Sequence, residues 1–167
     1  DGINWDINRY GTSSDLNSIT FSGDTKLMVG FKHEVIFSDS QYSWTPFKSR
    51  IGDGFEYETL FSVIEANGVY IAVGEKGVIL RGNKEGFKKQ DSGVSGSLYS
   101  ITYAKNIFVA VGRKGVIISS IDGKKWESPK NNANEFTDEL MGISYGKGKF
   151  IIVAKAGRIL TSDDAQN

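Results

Sequence analysis

No cysteine occurs among the 167 residues. The chain therefore has no disulfide framework, no thiolate zinc site and no thiol nucleophile. Histidine appears once, as His33, so any acid–base relay through imidazole has a single candidate. Net charge is missing too, because 20 lysines and arginines balance 20 aspartates and glutamates. No overall field draws the chain to nucleic acid or to an anionic membrane surface. No apolar run approaches the roughly 20 residues that span a bilayer, so membrane insertion is not expected. Helical spacing of apolar residues is absent. The chain opens at Asp1, which fits a mature form, a processed form or a fragment, with any signal peptide already removed. Charged residues at 24% and aromatics at 12% exclude disorder.

What is present is one motif written four times. Leu16–Phe21, Leu60–Glu65, Leu98–Tyr103 and Leu140–Tyr145 share the pattern Leu-x-Ser/Gly-Ile/Val-x-aromatic, with Glu65 the one lapse. A second block follows each copy, clearest in Val109–Ser120 and Ile71–Leu80. The period is roughly 40 residues of strand-like runs only, the size of one four-stranded propeller blade. In the third copy Leu98–Ala104, Ile107–Val111, Val116–Ser120 and Lys125–Lys130 read as four strands separated by Lys105-Asn106, Gly112–Gly115 and Asp122-Gly123. The expected fold is all-β, a four-bladed β-propeller of antiparallel four-stranded blades. A sandwich has no reason to repeat its sequence, because each of its strands meets a different neighbour. Ser18, Ser62, Ser100 and Gly142 share one register of the innermost strand, where crowding near the axis demands small side chains. Ile19, Val63, Ile101 and Ile143 then face the adjoining blade.

The two ends complement one another. Gly157–Asp164 matches Gly115–Asp122 position for position, and Asp1–Trp5 matches Asp122–Trp126. The N-terminal strand is thus expected to complete the C-terminal blade, which removes two exposed edges. The single domain 1–167 divides into repeats at about 16–48, 59–92, 98–130 and 140–167 plus 1–8. A monomer follows, or a dimer if the ring is half of a larger propeller.

Ser120-Ile121-Asp122-Gly123-Lys124-Lys125-Trp126 resembles the Asp-box of BNR-type propellers with one residue deleted. The repeat as a whole resembles the blades of the photosystem II stability and assembly factor family, which also occur in bacterial surface and secreted proteins. The resemblance implies a secreted or cell-surface location. It also implies a structural box, in which Asp122 and Gly123 form the turn while Trp126 packs between blades. Trp5, Trp44 and Phe87 hold the tryptophan position in the other copies.

Sialidases carry such boxes as well, so a glycan-acting hydrolase is the alternative reading. It needs three converging arginines, a tyrosine–glutamate pair and an acid/base aspartate. Only Arg9, Arg50, Arg81, Arg113 and Arg158 are available, and the last three fall at different heights in different blades. No catalytic residue, cofactor or metal site is assigned, and the balance leans away from an enzyme. The acidic run Asp53–Glu58 lacks the spaced ligands of a calcium loop. His33 replaces the glycine of the equivalent turns at Gly77, Gly115 and Gly157, a position that tolerates a left-handed residue; Glu34 follows it.

One pattern points to binding. The turn between second and third strands carries Lys32, Lys76 and Lys114 at one template position, with Lys155 one residue earlier. Fourfold symmetry would set these cations around one mouth, with Arg113 and His33 beside them. The longest loops reach the same face and bring Phe55 and Tyr57 among several carboxylates. Loops placed by a rigid scaffold are where binding usually resides. The expected function is a non-catalytic binding or scaffolding propeller whose partner is a protein or glycan. Nucleic acid would want an unopposed basic stripe.

Overall fold

A computed structural model describes residues 12–39, 43–46, 58–129 and 137–165. The chain is an all-β propeller with four blades. Blade 1 holds β1 (Leu16–Ser22), β2 (Thr25–Gly30), β3 (Val35–Ser38) and β4 (Thr45–Pro46). Blade 2 holds β5 (Leu60–Ala66), β6 (Val69–Gly74), β7 (Ile79–Asn83) and β8 (Gly86–Gln90). Blade 3 holds β9 (Leu98–Ala104), β10 (Ile107–Gly112) and β11 (Ile117–Ser120), and blade 4 holds β12 (Leu140–Gly146), β13 (Lys149–Ala154) and β14 (Ile159–Ser162). Every sheet is an antiparallel meander in chain order. Among the described residues no helix is long and apolar enough to cross a membrane.

Blade 3 departs from the expected four strands. Where Lys125–Lys130 is expected to pair along its length, a single bridge among the described residues joins Ser119 and Glu127, with N–H···O distances of 2.8 and 3.0 Å. Pro129 follows two residues later and has no N–H to extend the ladder. In blade 4 the three described strands end at β14; residues 1–8, expected to supply its outer strand, lie outside the described residues, as does Trp5.

The first hairpin of each blade turns tightly. Asn67-Gly68, Lys105-Asn106 and Lys147-Gly148 all take positive φ at both positions, as a two-residue hairpin matched to strand twist requires. The second turn begins at Gly30, Gly74 and Gly112, for a steric reason. A Cβ on any of them would strike the carbonyl oxygen of Asp15, Thr59 or Ser97, where the chain enters the same blade. Blade 4 has Ala154 there and relaxes φ to −124°.

The first strands β1, β5, β9 and β12 lie side by side in that order, which makes them the inner strands. Their small residues do more than save space. Ser18 Oγ accepts the Val63 N–H at 3.2 Å, Thr20 Oγ1 the Glu65 N–H at 3.2 Å, and Ser100 Oγ the Ile143 N–H at 3.3 Å. Side-chain hydroxyls thus satisfy the amides that a neighbouring strand would pair in a continuous sheet. Gly142 in blade 4 has no hydroxyl to offer.

The core lies between blades. Leu27, Val29, Val35 and Phe37 of blade 1 pack on Leu60, Val63, Tyr70 and Phe87 of blade 2. Ile71, Val73 and Ile79 then pack on Leu98, Ile101 and Trp126 of blade 3. Phe87 and Trp126 are buried as expected, and Trp126 lies 6.5 Å from the Phe108 ring. Two expectations fail at blade 1. Ile19 is exposed rather than packed on a neighbour, and Trp44 is only half-buried, with Lys26 Nζ 5.9 Å from its ring. Both lie on the blade 1 face that no other blade of the chain covers.

Candidate functional site at the turn-bearing rim

The turns between second and third strands, one per blade, sit on one rim and are built alike. Phe31, Glu75, Arg113 and Lys155 donate their N–H to the carbonyls of Asp15, Thr59, Ser97 and Glu139 at 2.8–2.9 Å. Each turn is thereby tied to the segment that leads into its own blade. The next residue is left-handed in every copy: Lys32, Lys76, Lys114 and Ala156 have φ of 52°, 52°, 56° and 59°. The residue after that is left-handed as well, and only His33 among the four is not glycine. Left-handed φ costs a residue with a Cβ on the order of 1–2 kcal/mol, so His33 needs compensation.

Compensation comes from the lead into blade 2. His33 donates its backbone N–H to the Glu58 carbonyl at 3.0 Å, and its Nε2 lies 3.0 Å from Glu58 Oε2. Both side chains are largely buried. Burial lowers the His33 pKa below the ordinary 6.5, and the Glu58 carboxylate opposes that shift without overcoming it. Lys76 Nζ reaches Glu58 Oε1 at 3.7 Å from the other side. Glu75 turns back onto the rim, where its Oε2 accepts the Thr59 N–H at 2.8 Å.

The same design recurs between blades 3 and 4. Gly115 donates its N–H to the Asp138 carbonyl at 2.7 Å, and Asp138 Oδ2 pairs with Arg158 at 2.6 Å. Lys155 Nζ meets Glu139 Oε2 at 2.7 Å. That contact holds the Glu139 carboxyl below its usual range and raises the Lys155 ammonium.

The structure therefore brings Lys32, His33, Lys76, Arg113, Lys114 and Lys155 to one rim, as the repeat implies. Carboxylates stand between them, so the rim alternates in sign. Glu58, Asp138 and Glu139 were legible as rim charges, but nothing in the sequence marked them as partners of the turn cations. Phe55 and Tyr57 lie outside the described residues. Among the described residues no cluster of three histidine or carboxylate side chains is arranged to hold a metal ion.

The opposite rim carries the other motif. Asp122 Oδ1 accepts the N–H groups of Lys124 and Lys125 at 2.8 and 3.1 Å, and these bonds lower its pKa. Ser120 Oγ accepts the Gly123 N–H at 2.8 Å. Trp126 Nε1 donates to the Gly123 carbonyl at 3.3 Å, and Arg81 of blade 2 donates Nε to the Asp122 carbonyl at 3.0 Å. A cavity of about 230 Å³ opens beside it, lined by Ile107, Ser119–Asp122, Lys125 and Glu127. The Asp122 carboxylate, the Ser120 hydroxyl and the Trp126 indole N–H each have an intramolecular partner, which suits a structural corner.

No family model matches the chain, and no curated protein does. Solved structures match by fold. YCF48 bound to D1 peptide is 18% identical at a TM-score of 0.72, covering 99% of this chain and 57% of that one. The computationally designed Ika4 protein is 13% identical at 0.70, covering 91% and 92%. The extracellular domain of the putative hybrid two-component system BT4673 from B. thetaiotaomicron is 14% identical at 0.72, covering 95% of this chain and 22% of that one. Identities this low establish the propeller fold alone.

Proposed function

We propose that this chain is a non-catalytic binding propeller, working outside the cell, that seats a protein or peptide partner on the turn-bearing rim. The observation that carries this reading is the repeated placement of a cation on a rigid left-handed turn, once per blade, against carboxylates of the blade-to-blade leads. Fixed backbone lowers the entropy lost when such a rim orders on a ligand. An acidic side chain of the partner competes with Glu58 for Lys76 and with Glu139 for Lys155, and binding weakens with salt. YCF48 bound to D1 peptide shows that a propeller of similar fold can receive a peptide. The extracellular BT4673 neighbour supports the location. We read Ser120–Trp126 as an Asp-box of the structural kind, and residues 1–167 as one domain.

The test is selection of random peptides on the immobilised chain, followed by rebinding to a Lys76→Glu/Lys114→Glu variant whose fold is confirmed by circular dichroism. Enriched peptides should carry Asp or Glu and lose affinity for the variant. Peptides that bind both proteins equally would place the site elsewhere, and turnover of glycosides or sialosides would replace binding by hydrolysis.

A further inference from the structure

One packing rule operates three times in this chain and leaves two faces over. At each contact, alternate residues of the second and third strands of one blade meet the inner strands of the next. Leu27 and Val29, Ile71 and Val73, and Val109 and Val111 hold the giving positions, and all six are fully buried at 0% exposure. The same positions in blade 4 are Ile151 and Val153, 41% and 48% exposed, and on the third strand Ile159 is 67% exposed where Val35 and Ile79 are buried. On the receiving side Leu60, Leu98 and Leu140 are fully buried, whereas Leu16, Ile19 and Phe21 of blade 1 are 42–58% exposed.

The chain thus ends in one uncovered giving face and one uncovered receiving face, each a contiguous patch of the kind that marks an interaction site. The geometry points to a second copy of this chain as the occupant: blade 4 of each copy packs on blade 1 of the other, and two chains close an eight-bladed ring. The residues left over are the two halves of a contact this sequence already makes three times, so the surface that fits them is another blade of the same repeat. Strands about 4.8 Å apart within a blade, with a rise near 3.3 Å per residue, give each face a few hundred Å². Two faces per chain approach the ~800 Å² per partner of a stable interface. The blades also superpose on about half of a longer chain of the same fold: this chain covers 49% of the computationally designed Ika8 protein at a TM-score of 0.71. Gly142 supplies no hydroxyl to the facing Ile19 amide, so the contact between copies lacks a bond that the first and third internal contacts have. Association should therefore reverse on dilution.

Sedimentation equilibrium of the 167-residue chain tests this, with Val153→Glu and Ile19→Glu as probes of the two faces. Both side chains are exposed, so both variants should fold, checked by circular dichroism. The unmodified chain should run at twice the monomer mass, and each variant alone at the monomer mass. Mixing the variants should restore a dimer, because Ile19→Glu keeps an intact blade 4 face and Val153→Glu an intact blade 1 face. An unmodified chain that stays monomeric at every concentration overturns the inference, as do assemblies larger than two. A dimer indifferent to both substitutions, or a mixture of folded variants that does not associate, overturns it as well.

Discussion

Trp126→Ala is the sharpest test of what holds the blades together. The indole is 8% exposed, packs against Phe108 and closes the cluster between blades 2 and 3. Removing it takes away the transfer energy of a large aromatic and leaves a cavity that two sheets cannot collapse to fill, a loss of about 3–5 kcal/mol. Its hydrogen bond to the Gly123 carbonyl is long at 3.3 Å and adds only about 0.5–1 kcal/mol. Packing therefore dominates, and Trp126→Phe should cost on the order of 1–2 kcal/mol. The assay is urea denaturation at one fixed protein concentration, because any self-association shifts apparent stability. With a slope of about 2 kcal/mol per molar urea, Trp126→Ala should lower the midpoint by roughly 2 M. Trp44→Ala is the internal control in protein dilute enough to be monomeric: half-buried on the uncovered face of blade 1, it should cost roughly 1 kcal/mol. A Trp126→Ala loss below ~1 kcal/mol, or one no larger than that of Trp44→Ala, would show that the packing between blades 2 and 3 does not depend on this ring.

Three further outcomes are expected. His33 has a folded pKa below 6.5, so its neutral form supports the fold above that value and stability falls as pH drops through the lowered pKa; His33→Gly should flatten this part of the pH–stability curve, and an unchanged curve would clear His33. Asp122 has a lowered pKa set by the Lys124 and Lys125 amides, so its support is present above the ordinary carboxylate range and is lost as acid protonates it; Asp122→Ala should lower the melting temperature at pH 7 and not at low pH, and equal losses at both would remove the carboxylate from the account. Deleting residues 1–8 should lower the melting temperature by stripping an outer strand from blade 4, that of the other copy in the two-chain ring, whereas a deletion that melts like the full chain would refute this completion of blade 4.

The blades were legible because repetition constrains every strand at once. Leu98–Tyr103 and Leu60–Glu65 share one burial pattern, and the turns at Lys105-Asn106 and Gly112 fall where the repeat breaks. Three features were hidden for separate reasons. The fourth strand of blade 3 shrinks to a bridge because Pro129 interrupts hydrogen bonding, which apolar periodicity does not register. Gly112 resembles a turn glycine, yet its need is close approach to the Ser97 carbonyl, a contact 15 residues away in the chain. The pairing of Glu58 with His33 and Lys76 depends on how a lead segment crosses the neighbouring blade, and a one-dimensional pattern does not encode that crossing.

Departures from the repeat are themselves informative, because they gather in blades 1 and 4. Lys26 stands where Tyr70, Phe108 and Phe150 stand in the other blades; His33 replaces glycine and Glu34 replaces valine. In blade 4 Gly142, Ala154, Ala156 and Arg158 replace serine, glycine, lysine and valine. Blades 2 and 3 have a blade on each side and, Glu65 apart, keep the pattern; blades 1 and 4 have a neighbour within the chain on one side only. If their outer faces served water, polar residues would be expected at the centres of those faces as well as at their edges. Lys26 and Glu34 do change two apolar positions of the blade 1 face, and Arg158 is turned toward Asp138 of the lead from blade 3, but Leu16, Ile19, Ile151, Val153 and Ile159 keep the apolar side chains of the buried contacts. Apolar side chains kept at solvent-exposed repeat positions mark an interaction surface, and they are what a pair of faces selected to meet one another would retain.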